Sequence, residues 1–403
     1  LKIVDIRCAR IGRSPIIRVL TDEGIDGFSE IEFSKPAAVS ASLDMYRSLL
    51  IGQDPTEIER CMIRIRRLGA SKPWGAVVSA IEIALWDIAG RALGVPVHRL
   101  LGGKVRDRIR VYNGGIRTTL GAHTPEDYAA SMQFMVDSPE GFSIFKEGVG
   151  LHGFMAPNTS DFLYGELREG PLHPNRGPLT PRGIGHIVDC VAAMKDVIGP
   201  HRRLALDMGP GFTVPDAIVL LRALEPFDIA WAEDLLTGDF VPWNDVAGYR
   251  EVTTATTVPT HTGEQLYLRQ NFRELIEQRA VRVIGPDPGD VGGLAEFKWI
   301  AEYADLHGVG VAPHGVSSGL LGLAALIQLS ATLPDNLIAF EYPVSADAWW
   351  YDIIDGFDSP IVVDGHVRVG DRPGLGVEFD RDAAAAHLEA DAEDFFDWNI
   401  KEH

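Results

Sequence analysis

Three acidic residues, Asp207, Glu233 and Glu264, close three successive apolar runs of the chain, LALD, IAWAE and PTHTGE. If each run is a parallel strand, the carboxylates meet at one end of a sheet. There they supply the oxygen ligands that a hard divalent cation such as Mg2+ takes in octahedral geometry, with positions left for substrate oxygens. Asp287, ending VRVIGPD, and His314, ending VGVAPH, stand at the ends of the next two runs. A carboxylate on Nδ1 fixes the imidazole tautomer and raises the basicity of Nε2, the arrangement wanted in a general base. A metal beside such a base suits removal of a proton from the carbon next to a carboxylate. The enediolate that forms carries two negative charges, which a divalent cation stabilises. Glu341, ending NLIAFE, is expected to be protonated by burial among acidic neighbours and to donate a hydrogen bond to the other enediolate oxygen. Lys146, in SIFKE, offers a cation that can bind the substrate carboxylate or shuttle a proton. Taken singly, such residues are ordinarily helix caps, surface charges or structural histidines. The agreement of neighbouring strand ends is what argues for chemistry.

The elements that must position these residues are legible as an alternation. From about Val111 to residue 345 the runs RIRVYN, SIFKE, RLALD, DIAWAE, VPTHTGE, AVRVIGPD, GVGVAPH and NLIAFE alternate with helical stretches such as PDAIVLLRALE and AEFKWIAEYADLHG. This matches an α/β fold of the (β/α)7-8 TIM-barrel type, whose active site lies at the C-terminal ends of the strands. A doubly wound open sheet is the rival, but it places far fewer charged groups at adjacent strand ends. Before the alternation come three strand-like runs, KIVDIRCARI, SPIIRVLTDEG and GIDGFSEIEF. Helical patterns over residues 36 to 69 follow, and then WGAVVSAIEIALWDIAGRALG, which is apolar on most sides. We expect an α+β capping domain over residues 1–110, completed by about 360–403, and a barrel domain over 111–359. Residues 148 to 182 break the rhythm, being rich in Gly, Pro and Asn. A loop of that length is usually a lid or a binding loop, and its place after the second strand puts it over the barrel mouth.

Composition sets outer bounds. With 403 residues, 46% hydrophobic and 23% charged, the chain reads as an ordinary globular enzyme with room for a barrel and an addition. A net charge of -20 argues against nucleic acid or an anionic membrane as partner. Cys8, Cys61 and Cys190 are few and widely separated, which fits reduced thiols used for packing. The N-terminus lacks the apolar core of a signal peptide, and no apolar run approaches the roughly 20 residues of a membrane span. The expected location is the cytoplasm.

The Asp207, Glu233, Glu264 series and the domain order resemble the enolase superfamily, and the Asp287–His314 pair resembles its mandelate racemase subgroup. WGAVVSAIEIALWDIAGRALGVPVHRLLGG, WAEDLL, DVGGL and PGLGVEFD are similar to family signatures, so the resemblance spans essentially the whole chain. It implies a cap domain that selects the substrate, a barrel carrying Mg2+ and the acid-base groups, a small-molecule carboxylate substrate and a homo-oligomer. Departures narrow the activity. Where racemases of the subgroup carry Lys-x-Lys, this chain has Lys146-Glu147-Gly148, and the sixth strand ends in Asp287 rather than lysine. Similar sugar-acid dehydratases often place a catalytic histidine two residues past the first metal ligand, where this chain has Gly209. Lys146, Tyr164, His152 and His173 are the candidate replacements; a loop tyrosine is catalytic in the mannonate dehydratase-like branch, which WAEDLL and GDRPGLGV resemble most. The resemblance implies a Mg2+-dependent dehydratase of an aldonate or aldarate, giving a 2-keto-3-deoxy acid. The alternatives are a racemase, epimerase or cycloisomerase using the same intermediate, or a catalytically retired barrel acting as a binding protein. Arg176 reads as a solvated charge. Trp74, His261 and Trp349 are packing residues by default, with a place in the pocket as the other option.

Overall fold

The computed structural model describes residues 1–31, 36–69, 74–114, 118–165, 178–238, 243–315, 319–343, 348–390 and 392–398. Strands β1 (Ile3–Ile11), β2 (Ser14–Thr21) and β3 (Asp26–Glu30) form an antiparallel meander in sequence order. Helices Pro36–Leu50, Ile58–Ile65 and Trp74–Leu93 follow. The alternation of β1 and β2, with a register shift between Ile3 and Asp5, sends Ile3, Ile6, Ile17 and Val19 to one face, where they pack with Leu43, Met62, Ile81, Leu85 and Ile88 from the helices. Helix Trp74–Leu93 is buried almost all round because the meander lies on one side of it and the barrel on the other. Cys61 and Cys190 are buried and Cys8 half-buried, all three as free thiols.

The second region is an α/β barrel. β5 (Ile144–Gly148), β6 (Arg203–Asp207), β7 (Ile229–Glu233), β8 (Thr260–Thr262), β9 (Val283–Ile284) and β10 (Gly310–Val311) pair in parallel and in sequence order, so the strand order nowhere reverses. That excludes the doubly wound rival. β4 (Arg108–Asn113) pairs in parallel with β11 (Phe340–Tyr342). Two joints close the ring. Val311 bridges Leu337, carrying β10 to the approach of β11. At the other joint the Asn113 side-chain amide stands in for a strand: its Nδ2 donates to the Lys146 carbonyl at 2.8 Å, and its Oδ1 accepts from the Lys146 N–H at 2.9 Å. Inside the ring Tyr112, Ile144, Ala205, Trp231, Val283, Ala312 and Ala339 form a compact core.

The last strands are shorter than their apolar runs. β8 to β10 end early because Gly263, Gly285, Pro286 and Pro313 sit within those runs, and proline has no N–H for the ladder. Glu264, Asp287 and His314 therefore stand on short turns just beyond the strands. Within 148–182, residues 166–177 lie outside the described residues. The remainder holds a short helix, Met155–Asn158, and a Leu163–Leu179 bridge before Thr180 caps helix Pro181–Ile198.

Past the barrel, β12 (Ile354–Asp355), β13 (Val362–Val363), β14 (His366–Arg368) and β15 (Glu378–Phe379) precede a tail that runs back over the meander. Buried Arg18, paired with Asp26 at 2.8 Å, donates to the Phe395 and Asp397 carbonyls. Arg7 donates to the Asp394 and Asp397 carbonyls, both at 2.8 Å. Among the described residues no helix is long and apolar enough to cross a membrane.

Candidate active site

Asp207 and Glu233 are register partners at the ends of β6 and β7, and Glu233 is in turn opposite His261 on β8, three residues before Glu264. The period of two along each strand turns Lys146, Ala205 and Trp231 inward, so Lys146 rises among the acidic ends. Its Nζ lies 3.0 Å from Glu341 Oε1, 3.2 Å from Glu233 Oε1 and 3.5 Å from Asp207 Oδ2. Burial alone would discharge this ammonium, but the three carboxylates outweigh it and hold it charged, well above its ordinary range.

The carboxylates respond according to their neighbours. Burial, with Glu233 and Glu264 nearby, pushes Asp207 up to about 6 against the pull of His152 and Lys146. Glu233 is as buried, yet Lys146 and His261 overcome the cost of burial and leave it below its usual value; Trp231 Nε1–H also donates to its Oε2 at 3.1 Å. Glu341 has its second oxygen, Oε2, buried with no hydrogen-bond partner among the described residues.

His314 lies on the opposite side of this cluster from Lys146's strand. Its Nδ1 is 2.7 Å from Asp287 Oδ2, and its Nε2 is 3.1 Å from Glu264 Oε2 and 3.9 Å from Glu341 Oε2. Burial opposes a charge on the ring, but Glu264, Glu341 and Asp287 carry it well above the ordinary histidine range. Asp287 is itself fixed: Gly289 N–H donates to its Oδ1 at 2.6 Å, and Asp290 and Val291 N–H donate to its carbonyl.

The structure thus brings together Asp207, Glu233, Glu264, Asp287, His314, Glu341 and Lys146. Among the described residues no group of three or more His, Cys, Asp or Glu side chains is gathered as a metal cage. The spacing has a visible cause, since the Lys146 ammonium stands among three of the carboxylates and Glu264 turns toward His314. The donor set is still oxygen-only and strongly acidic, which fits a hard divalent cation.

Of the candidate replacement acids, Lys146 stands within the cluster, and so, at its edge, does His152. Its N–H is tied to the Met208 carbonyl at 3.2 Å, and its Nδ1 lies 3.3 Å from Asp207 Oδ1 with the ring 41% exposed. Tyr164 is 70% exposed, its N–H donating to the Pro178 carbonyl, and no described side-chain contact joins it to the carboxylates. His173 and Arg176 lie outside the described residues, as does the Trp74 side chain. Gly209 is barred from carrying any acid, because a Cβ there would run into the Asp234 carbonyl. His261 belongs to the barrel interior, stacked on Trp231 with Nε2 3.2 Å from the Ala312 carbonyl. Trp349 stacks on His387 and packs against the β1–β2 turn at Gly12.

Sequence reasoning missed Asn113, Trp231 and Asp234. Asp234 takes a left-handed backbone, φ 51°, and its buried carboxyl accepts from Thr262 Oγ1 at 2.6 Å, bracing β7 against β8. The acidic pair Glu233-Asp234 was the available signal. Asn113 gave none, because an amide that replaces a strand partner is visible only once the strands are placed.

Residues 10–102 match the model of the mandelate racemase / muconate lactonizing enzyme N-terminal domain, and residues 131–383 match that of the enolase C-terminal domain-like family. The chain is 33% identical over 405 residues to a D-xylonate dehydratase of Haloferax volcanii, covering 98% of this chain and 91% of the relative. It is 30% identical over 392 residues to a D-galactonate dehydratase of Variovorax paradoxus, covering 95% and 93%. A solved mandelate racemase/muconate lactonizing enzyme-like protein from Rubrobacter xylanophilus superposes with a TM-score of 0.81 at 32% identity, over 96% of this chain and 97% of that one. With both halves matched and a relative 33% identical over nearly the whole chain, the chain belongs to the mandelate racemase / muconate lactonizing enzyme family of the enolase superfamily.

Proposed function

We propose that this protein is a Mg2+-dependent hydro-lyase that removes water from a sugar acid through an enediolate, giving a 2-keto-3-deoxy acid. The observation that carries the reading is the pairing of His314 with Asp287 at 2.7 Å beside an oxygen-only acidic cluster. The names of the D-xylonate and D-galactonate dehydratases support an aldonate as the substrate class.

Asp207, Glu233 and Glu264 would hold the cation. When bound, it supplies positive charge to the substrate carboxylate as the α-proton leaves. His314 Nε2, which here faces Glu264 at 3.1 Å, would be free to take that proton from C2 once Glu264 turns to the cation, with Asp287 holding Nδ1–H. Glu341 lies between His314 and Lys146, 3.9 Å from His314 Nε2 and 3.0 Å from Lys146 Nζ, and Lys146 places an ammonium where the carboxylate oxygens gain charge. His152, from the Asp207 side, gives a proton to the 3-hydroxyl. The C3–O bond then breaks, water departs, and the enol tautomerises to the 2-keto acid. His152 takes this role in preference to Lys146, which is held among the Glu341, Glu233 and Asp207 carboxylates, and to Tyr164, which has no described contact with the cluster.

A screen of aldonates and aldarates with Mg2+, reading 2-keto acid formation, tests the proposal. Turnover is expected on at least one aldonate and its loss on chelation. Binding of sugar acids with no change in any of them would favour a retired, binding-only barrel instead. We further propose a homo-oligomer, for which light scattering at working concentration is the check.

A further inference from the structure

The turns carrying Asp287 and His314 are each followed by a helix whose first N–H groups are held by a buried carboxylate of the N-terminal domain. Helix Leu294–Leu306 follows Asp287. Glu82, on helix Trp74–Leu93, accepts from Leu294 N–H at 2.7 Å and from Ala295 N–H at 3.0 Å. Ser79, three residues earlier on the same helix face, accepts from Gly292 N–H at 2.9 Å. Gly293, with φ 101°, allows this approach, since a Cβ there would collide with the Glu82 carboxylate. Helix Leu321–Ser330 follows His314. Glu30, at the end of β3, accepts from Gly319 N–H at 2.5 Å and Gly322 N–H at 3.2 Å, and Ser14 Oγ donates to its Oε1 at 2.7 Å.

The first N–H groups of a helix have no partner within it and sit at the positive end of its dipole, so a carboxylate there is stabilising. Here both carboxylates come from another domain and both serve the units that carry the proposed base pair. A cleft lined by Glu30, Ile83, Asp287, Asp290 and Gly315 among others lies beside the Asp287 turn. The Asp287 turn borders this cleft, and its position is held by its own hydrogen bonds and by the anchored helix start that follows.

We infer that Glu82 and Glu30 are positioning residues, which fix the His314–Asp287 hydrogen bond by anchoring the helix starts behind it to the N-terminal domain. The inference rests on the reading of His314 as the base, and its test is chosen to stand apart from that reading. The Nδ1–H proton of His314, held against a carboxylate, gives a far-downfield proton resonance in the substrate-free protein, assigned by its loss in His314→Asn. Glu82→Ala is expected to broaden or remove that resonance while the circular dichroism spectrum stays native. Glu82→Gln keeps an oxygen acceptor for one N–H and falls between wild type and Glu82→Ala; it serves alone if the alanine variant does not fold. Glu30→Gln behaves as Glu82→Gln. On a turned-over sugar acid, kcat falls by roughly tenfold or more with KM within about twofold, as a displaced catalytic group requires. A wild-type resonance in the Glu82 and Glu30 variants would overturn the inference, and so would its absence from the wild-type protein. Because the resonance is read without substrate, a chain inactive on every sugar acid still decides the question.

Discussion

At the scale of single residues, the two histidines are assigned separable steps. His314 takes the α-proton, so His314→Asn should lower kcat by roughly 10²- to 10⁴-fold, the usual contribution of a general base. Deuterium exchange at C2 should fall with it, while Mg2+ binding measured by calorimetry should persist, because His314 is not one of the three proposed ligands. His152→Gln should instead keep C2 exchange in D2O while losing most keto acid formation, because the enediolate still forms but the hydroxyl leaves unaided. Equal loss of exchange and elimination in His152→Gln would remove it from the leaving-group step. Gly209→His should fail to restore a second acid and should lower the melting temperature, since the Asp234 carbonyl fills the space. The acidic triplet and the His–Asp pair were legible because chemistry forces residue types onto strand ends. The choice between His152 and Tyr164 was not, because loop conformation depends on backbone hydrogen bonds such as that from His152 N–H to the Met208 carbonyl.

At the scale of elements, β5 shows how one strand serves both sides of the barrel wall. Lys146 points into the acidic cluster, while its neighbour Glu147 points outward beneath helix Pro125–Val136, where Ser131 Oγ donates to Oε2 at 3.0 Å. Burial pushes the Glu147 carboxyl up to about 7 from an ordinary 4.5. A carboxyl raised on folding contributes stability that is fully present below about pH 4.5 and is lost as pH rises through about 7. The lost part is about 3 kcal/mol, at 1.36 kcal/mol for each pH unit. Glu147→Gln should therefore flatten this decline, melting above wild type at pH 8 and close to it at pH 4.5. A variant curve parallel to wild type across that range would refute a buried titrating Glu147. The eight strand runs were recognisable from apolar residues ending in charge, but their lengths were not. Glycine and proline inside VPTHTGE, AVRVIGPD and GVGVAPH trim the ladders to two or three residues, and the closing side chain of Asn113 carries no periodic signal.

At the scale of the whole molecule, the N-terminal meander is held from two directions, by the barrel helix starts and by the returning tail. Arg18 is fully buried and its charge is met by Asp26 and by carbonyls of Phe395 and Asp397. Removing residues 388–403 would leave that guanidinium short of acceptors, and a buried charge that loses partners is costly. The truncated chain should melt lower and expose apolar surface to a dye such as ANS; unchanged melting would show that the tail only decorates the domain. The domain order could be read from the switch between strand-rich and alternating patterns. The tail's docking could not, because it rests on backbone carbonyls, to which no residue type is specific.

The most direct test of the central claim is proton NMR of sugar acids, D-xylonate and D-galactonate among them, incubated with the enzyme and Mg2+ in D2O. The expected result is loss of the C2 and C3 signals of a substrate and growth of a 3-deoxy signal carrying one deuterium, abolished by a chelator. Inversion or deuterium exchange at C2 with no deoxy product would contradict it.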